Sequence, residues 1–385
     1  MKKILILITI SFILLSSIKM NAQSVKGLYV DGFSNILGNT NSEDSLLHYA
    51  HDNGFNYLAL YDLWPIHVTY NLTNSATCKV LANFIQRAKQ TYGITQVGAI
   101  GENFFFFNNV IQIYNQQHSN PLQKFDVYNI EFEFWNTTSV SSGNYYCTTY
   151  LQPGGYSCDT AGAFSFYKTL IRQVDSIGNL IGVFSEAYVG WFNQGQAITI
   201  ANTVDRILLH DYISNYSSLY SYIQQRLQFI AARNLPTKVI AIFSAETSFM
   251  GPWLTTHNVL LPYTDLQTYL ANETGNWVQY ISLVGYQWFA YSFMPYHLAT
   301  SYNPHFLDNS LKIYPNPAND LLNIHISNPA VNQQVVITDL LGNEIYSQLI
   351  KNQDTHISIS NWSSGIYFYE ITNDSETTRG KFIKQ

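Results

Sequence analysis

The chain has 385 residues, of which 46% are hydrophobic and only 11% are charged, and its net charge is −6. This length and composition predict more than one globular domain. The charge balance argues against nucleic acid and anionic membrane surfaces as partners. Aromatic residues make up 15% of the chain. Because Tyr and Trp combine a flat apolar face with a hydrogen-bonding edge, this composition is typical of an exported protein that contacts polar, uncharged ligands such as glycans.

Residues 1–22 have the pattern of a secretory signal peptide. Lys2 and Lys3 precede an apolar run from Ile4 to Leu15, and small and polar residues follow as far as Ala22. The apolar run is too short to span a membrane comfortably, so cleavage is favoured over an uncleaved anchor. We therefore expect export.

Short β-rich segments alternate with helical segments across residues 23–295. The predicted strands are Lys26–Phe33, Asn56–Trp64, Thr95–Gly101, Asp126–Trp135, Ile181–Trp191, Arg206–Ser214, Lys238–Thr247 and Ile281–Ser292. Helical spacing marks Ser42–Asn53, Thr77–Tyr92, Phe164–Ser176, Ser218–Arg233 and Leu266–Asn276. Eight nearly even units predict an α/β fold of the (β/α)8 TIM-barrel type, and a doubly wound open sheet is the main alternative. The phosphate-binding signature of that alternative is incomplete at residues 98–103 (GAIGEN).

Polar residues collect at the C-terminal ends of most of the predicted strands. They are Asp31, Asp62, Glu102, Glu131, Glu133, Glu186, His210, Asp211 and Glu246. In a barrel these strand ends meet at one face, where the βα loops build the active site. Any one of these residues, outside the pair Glu131 and Glu133, is more simply explained as a helix cap or an ion-pair partner. Their joint occurrence predicts a site at that face.

The fourth predicted strand carries the strongest catalytic signal. In residues 125–136 (FDVYNIEFEFWN), Asn129, Glu131 and Glu133 alternate with apolar residues. Successive side chains of a strand point to opposite faces, so the two glutamates project together, roughly 6.5–7 Å apart along the strand. Two carboxylates on such a hydrophobic strand are costly to bury unless something uses or pairs them. We therefore expect both to face the barrel's mouth.

The three cysteines do not form a metal-binding pattern. Cys147 and Cys158 lie close together in a Gly/Ser/Tyr-rich segment, and we predict that they form a disulfide, which export permits. Cys78 is then a buried free thiol. The ten histidines are scattered without metal-ligand spacing. We expect no metal, no cofactor and a monomer.

The sequence changes character after residue 295. A linker is predicted at residues 296–310, and short alternating strands without a helix predict a small β-sandwich at residues 311–385. Tyr314–Pro317 (YPNP), the D-x-x-G turn in Val336–Asn343, the strand start Ser364–Tyr369 and the basic terminal strand closely resemble the type A C-terminal sorting domain of the type IX secretion system of Bacteroidetes. The resemblance implies passage through the periplasm and the outer membrane to the cell surface or the medium, with that secretion machinery as a partner.

The barrel region resembles family-18 glycoside hydrolases. Asp126, Asn129, Glu131 and Glu133 are similar to the D-x-x-D-x-D-x-E motif on strand four of that family, with Asn129 and Glu131 in place of its middle aspartates. The resemblance implies hydrolysis next to an N-acetylglucosamine unit, as in chitin or the core of N-glycans. Glu133 would be the general acid, and the substrate's own acetamido oxygen would attack the anomeric carbon. Glu131 would hold the acetamide, with Asn129 behind it.

Two further stretches carry the same resemblance. Leu208–Tyr212 (LLHDY) is similar to the family's strand-six segment, with His210 in place of its tyrosine, and Trp288 occupies the position of the tryptophan beneath the sugar. The resemblance therefore implies that His210, Asp211 and Tyr212 contact the substrate and that Trp288 stacks under it.

Two alternatives stay open. The first is a retaining glycosidase with Glu133 as acid/base and Glu246 as nucleophile, for which the two carboxyl groups should be about 5–5.5 Å apart. Even without that role, Glu246 is predicted to contact the substrate. The second is a barrel that binds a glycan without cleaving it, because a fold alone does not determine an activity.

Overall fold

The structure is a computed structural model, which describes residues 24–295, 311–326, 333–340, 342–372 and 377–385. The predicted signal peptide and the predicted linker lie outside these residues. Within the described ranges, no helix is both long enough and apolar enough to cross a membrane.

Eight parallel strands close into a barrel, which confirms the predicted TIM-barrel fold. The strands are β1 (Val25–Val30), β2 (Tyr57–Leu60), β3 (Gln96–Gly101), β4 (Val127–Glu131), β5 (Phe184–Val189), β6 (Arg206–His210), β7 (Thr237–Ser244) and β8 (Ile281–Phe289). β8 pairs in parallel with β1, so the open-sheet alternative is wrong. Most strands end several residues before the predicted ends, because the polar residues that follow them belong to loops.

Helices lie between the strands. They are α1 (Thr40–Asp52), α2 (Leu63–Tyr70), α3 (Lys79–Thr91), α4 (Phe104–Phe106), α5 (Gln112–Gln117), α6 (Thr137–Val140), α7 (Thr160–Asn179), α8 (Gln194–Ala201), α9 (Leu219–Ala231), α10 (Gly251–Leu254) and α11 (Leu261–Ala271). Helix α7 shows why they form. The Asp159 side chain caps its first turn by accepting from the Gly162 N–H at 2.7 Å. Leu170, Ile171 and Val174 recur at helical spacing and are buried in the core.

The barrel core has two layers with different chemistry. Alternation along β1 places Leu28 and Val30 in the outer layer, where strands pack on helices, and Tyr29 in the inner layer. Deep in the inner layer, Glu186 accepts hydrogen bonds from Arg206 Nε at 2.6 Å and from Asn129 Nδ2 at 2.6 Å. This buried ion pair places charged and polar groups in the barrel interior, where Asn129 Oδ1 and Arg206 Nη2 are left without a hydrogen-bond partner among the described residues.

The position of Glu186 in this ion pair differs from its predicted position. Glu186 is in register with Arg206, the first residue of β6, and with Asn129 in the middle of β4. Both Glu186 and Asn129 are fully buried. The prediction that Glu186 lies at the mouth is wrong, because the strand continues for three residues beyond it.

The C-terminal unit is all-β. Its strands are β9 (Leu311–Tyr314), β10 (Leu321–Ile326), β11 (Gln334–Thr338), β12 (Glu344–Leu349), β13 (Asp354–Ser358), β14 (Gly365–Thr372) and β15 (Thr377–Lys384). They form two antiparallel sheets with strand orders β13-β10-β9 and β12-β11-β14-β15. Leu322 and Ile357 of the first sheet share one core with Val335 and Phe382 of the second, which agrees with the predicted β-sandwich.

Candidate functional site at the barrel mouth

Glu131 is the last residue of β4, and its side chain lies at the mouth of the barrel. The Tyr29 hydroxyl donates a hydrogen bond to Glu131 Oε2 at 2.7 Å. The pKa of Glu131 is raised from 4.5 to about 8, chiefly by burial. The hydrogen bond from Tyr29 lowers this pKa, and the charges of Glu133 and Glu102 contribute to raising it. No cationic side chain of the described chain forms an ion pair with Glu131. Glu131 therefore holds its proton at neutral pH.

Glu133 lies two residues beyond Glu131, in the loop after β4. Asn136 Nδ2 donates to Glu133 Oε2 at 2.9 Å, and the side chain is partly exposed. The intervening Phe132 and the following Phe134 are buried and pack on Tyr167 of helix α7. This anchoring preserves the strand alternation beyond the end of β4 and directs both glutamates away from the helix layer.

A third carboxyl group comes from the end of β3. Glu102 accepts hydrogen bonds from the hydroxyls of Tyr145 at 2.9 Å and Tyr150 at 2.8 Å. Burial raises the pKa of Glu102, and its charge raises the pKa of Glu131. Glu102, Glu131 and Glu133 thus form one interacting group of acids.

Aromatic rings from the loop after β4 and from the ends of β5 and β6 form a further part of the mouth. The His210 and Tyr212 rings are stacked, with centroids 4.3 Å apart and planes 7° apart, and the Tyr188 and Tyr212 hydroxyls are 3.1 Å apart. Trp135 meets His210 edge-on at 5.4 Å. Burial lowers the pKa of His210 to about 3, so this imidazole is neutral and cannot supply a proton near neutral pH.

Glu246 approaches this aromatic part of the mouth from the end of β7. The Ser244 hydroxyl donates to Glu246 Oε2 at 2.9 Å. The charges of Glu131, Glu133 and Glu246 all raise the pKa of Tyr212, although burial is the largest cause. Tyr212 is therefore within electrostatic range of Glu131 at the end of β4, of Glu133 in the loop after β4 and of Glu246 after β7.

Two residues of the predicted site lie elsewhere. Asp211 is fully buried next to the charge of Arg226, and Trp288 is fully buried with its indole N–H donating to the Val259 carbonyl at 3.0 Å. The residues on either side of Asp211 and of Trp288 point into the barrel. Because side chains alternate along a strand, Asp211 and Trp288 themselves point outward. The structure does not bring Asp211 or Trp288 to the mouth.

Sequence reasoning missed two tyrosines. Tyr61 follows β2, and its ring lies 5.9 Å from that of Tyr29, which itself contacts Glu131. Tyr29 lies two residues before Asp31, which was already predicted to lie at this strand end. Because residues two apart in a strand point to the same face, alternation could have identified Tyr29 as well. Tyr61 gave no comparable signal, because nothing in the sequence fixes where β2 ends.

The loop between β4 and β5 is stabilised by a disulfide. Cys147 and Cys158 are joined, as predicted, and Cys78 is buried and free. No group of three or more His, Cys, Asp or Glu side chains in the described ranges is arranged to hold a metal ion.

Comparisons with known proteins identify the C-terminal unit. Residues 312–385 match the family described as "Secretion system C-terminal sorting domain". This domain indicates type IX secretion to the cell surface or the extracellular space, and the type IX secretion machinery is therefore its partner. A search of curated proteins finds none that matches the chain.

Several similar solved structures are glycoside hydrolases. The chain is 9% identical to a Bacteroides uniformis β-glucuronidase, covering 94% of this chain and 46% of that one, with a TM-score of 0.41. It is 11% identical to a Cellulomonas fimi endo-β-1,4-mannanase double mutant, covering 94% of each chain, with a TM-score of 0.38. The chain thus spans less than half of the β-glucuronidase. These similarities are too low to indicate an activity, and the family-18 resemblance is not confirmed by them.

Proposed function

We propose that the barrel is a secreted glycoside hydrolase in which Glu131 and Glu133 are the catalytic carboxyl groups. The observation that carries this proposal is the position of Glu131 at the end of β4, where it accepts a hydrogen bond from Tyr29 and forms no ion pair with a cation in the described chain. Burial raises its pKa there, which favours a proton on Glu131 near neutral pH. The rings of Trp135 and Tyr212, which are partly exposed, offer apolar faces on which a sugar ring can pack.

Glu131 donates its proton to the glycosidic oxygen as the bond to the anomeric carbon breaks. The carboxylate that remains keeps the hydrogen bond from Tyr29, which favours its charged form. We propose an N-acetylglucosamine unit at the cleaved bond, whose acetamido oxygen attacks the anomeric carbon and forms a cyclic oxazolinium ion. Glu133 accepts the acetamide N–H, and water then opens the ring and returns a proton to Glu131. This assignment exchanges the roles that the family-18 resemblance implies.

Leaving-group dependence tests the two roles. A nitrophenolate leaves without a proton, whereas a sugar alcohol needs one. We expect Glu131→Gln to lose activity about 10²–10⁴-fold on a chitooligosaccharide but to keep most of it on the matching p-nitrophenyl glycoside. Glu133→Gln should lose activity on both substrates, because ring closure is impaired in each. The opposite pattern would return the acid role to Glu133, and normal turnover by both variants would remove the pair from catalysis.

A second candidate is a retaining mechanism with Glu133 as acid/base and Glu246 as nucleophile. The observation that favours it is that the charges of Glu131, Glu133 and Glu246 all act on the same residue, Tyr212. This mechanism forms a covalent glycosyl-enzyme, which a 2-deoxy-2-fluoro glycoside traps. An adduct on Glu246, found by peptide mass spectrometry, would support this candidate and exclude acetamido assistance. Tight glycan binding without turnover would instead identify a binding barrel.

A further inference from the structure

A cavity of about 400 Å³ opens beside the acid group, between the loops that follow β2 and β3 and the loop that follows β4. This volume is within the range of small-molecule sites, roughly 300–1,000 Å³. Trp64 and Phe105 line it with half or more of their surface exposed, at 50% and 60%. Exposed large aromatic rings around a concavity mark a binding surface.

The cavity adjoins the proposed catalytic carboxyl groups through Tyr61 and Glu102. Tyr61 lines the cavity and also packs on Tyr29, which donates to Glu131. Glu102 lines the cavity as well, and its charge raises the pKa of Glu131. A ligand that fills the cavity therefore lies next to a sugar held at Glu131.

The chemistry of the lining defines the ligand. Asp62, Glu102 and Asn103 offer oxygen acceptors, and the lining that the structure describes contains no Lys, Arg or His. An anionic sugar would meet carboxyl groups without a compensating cation, whereas the hydroxyls of a neutral sugar can donate to them. An exposed indole face beside such acceptors suits the apolar face of a pyranose ring.

We propose that this cavity is an extension subsite for a neutral sugar unit of a longer glycan, with Trp64 as its stacking platform. The inference rests on the proposed function for the position of the cleaved bond, but the binding it describes does not require cleavage. It implies a polymeric or extended substrate and discrimination against uronic acids. The Cys147–Cys158 disulfide supports the subsite, because the segment that it closes contains Tyr150, and Tyr145 lies two residues before Cys147.

Calorimetric titration of the full chain with neutral oligosaccharides of two to six units, in the chitin, N-glycan and mannan series, tests the subsite. We expect affinity in at least one series to rise with chain length beyond two units. Trp64→Ala should weaken binding of the longest member about tenfold, equivalent to about 1.4 kcal/mol. Phe184→Ala is the matched control, because Phe184 is also exposed, at 41%, but begins β5 at the other end of the barrel.

The outcomes separate this inference from the proposed activity. Length-dependent binding that Trp64→Ala abolishes, without turnover, would support the subsite and contradict the hydrolase. Turnover together with an affinity that does not depend on glycan length would contradict the subsite but not the hydrolase. Turnover together with equal losses of affinity in Trp64→Ala and Phe184→Ala would have the same meaning. Tighter binding of tetragalacturonate than of every neutral tetrasaccharide would also overturn the proposal, as would no binding to any series.

Discussion

Replacing Glu131 by Gln should change how the stability of the barrel depends on pH. The pKa of Glu131 in the folded protein is raised from 4.5 to about 8, so the folded chain binds this proton more tightly than the unfolded chain. The resulting stabilisation is fully present below about pH 4.5 and is lost as the pH rises through 8. Gln has nearly the same shape and can still accept the Tyr29 hydrogen bond, but it does not titrate.

The size of the effect follows from the shift. Each pKa unit corresponds to about 1.4 kcal/mol, so a shift of this size gives at most about 5 kcal/mol between the two pH limits. Solvent reaches the mouth and screens part of the cost of the charge, so we expect about 2–5 kcal/mol. Wild type should therefore lose this much stability between pH 4.5 and pH 9 relative to Glu131→Gln.

Urea unfolding at half-unit pH steps, followed by tryptophan fluorescence, measures the difference. Subtracting the two curves cancels the titration of every other group that the substitution leaves unchanged. The free energy of unfolding of Glu131→Gln, minus that of wild type, should become more positive as the pH rises from 5 to 9. A constant difference over that range would refute the claim that Glu131 is protonated at neutral pH.

Three further predictions concern other parts of the barrel. Tyr29→Phe removes a hydrogen bond that lowers the pKa of Glu131, so the alkaline limb of the pH–activity profile should move to higher pH; an unchanged limb would contradict this. Reducing the Cys147–Cys158 bond, which spans 11 residues, should lower the free energy of unfolding by about 3 kcal/mol and weaken binding in the adjacent cavity. Arg206→Met should cost about 3–5 kcal/mol in urea unfolding, because it leaves a buried carboxylate without its cation, and a neutral result would show that the pair is dispensable.

The fold could be predicted from the sequence because each unit repeats the same simple pattern. Eight predicted strands alternate with helical stretches, and seven of the strands have a polar residue at the C-terminal end. Parallel strands with crossover helices close in only a few ways. The alternation in β4 also placed Glu131 and Glu133 on one side. Alternation could not predict how deep in the barrel each residue lies, because that depth depends on the stagger between neighbouring strands. Glu186 was therefore expected at the mouth although it lies three residues deeper.

Side-chain direction at the strand ends was the second limit. Asp211 and Trp288 were expected at the substrate because of the family-18 resemblance, but their side chains point outward and are buried. In strands whose residues are mostly apolar, alternation does not show which side chains point inward, so it could not correct this expectation. The contributions of Tyr145 and Tyr150 depend on a long loop folding back over Glu102. Such contacts join residues more than forty positions apart, and no local pattern encodes them.

Release of new reducing ends from glycans most directly tests the central claim that the mouth hydrolyses a glycosidic bond. The wild-type protein is incubated with chitooligosaccharides and N-glycoproteins beside the Glu131→Gln/Glu133→Gln double variant, and products are identified by mass spectrometry. We expect product from wild type and at least about 10²-fold less from the double variant. Equal product from both proteins, or none from either on every glycan, would contradict the account.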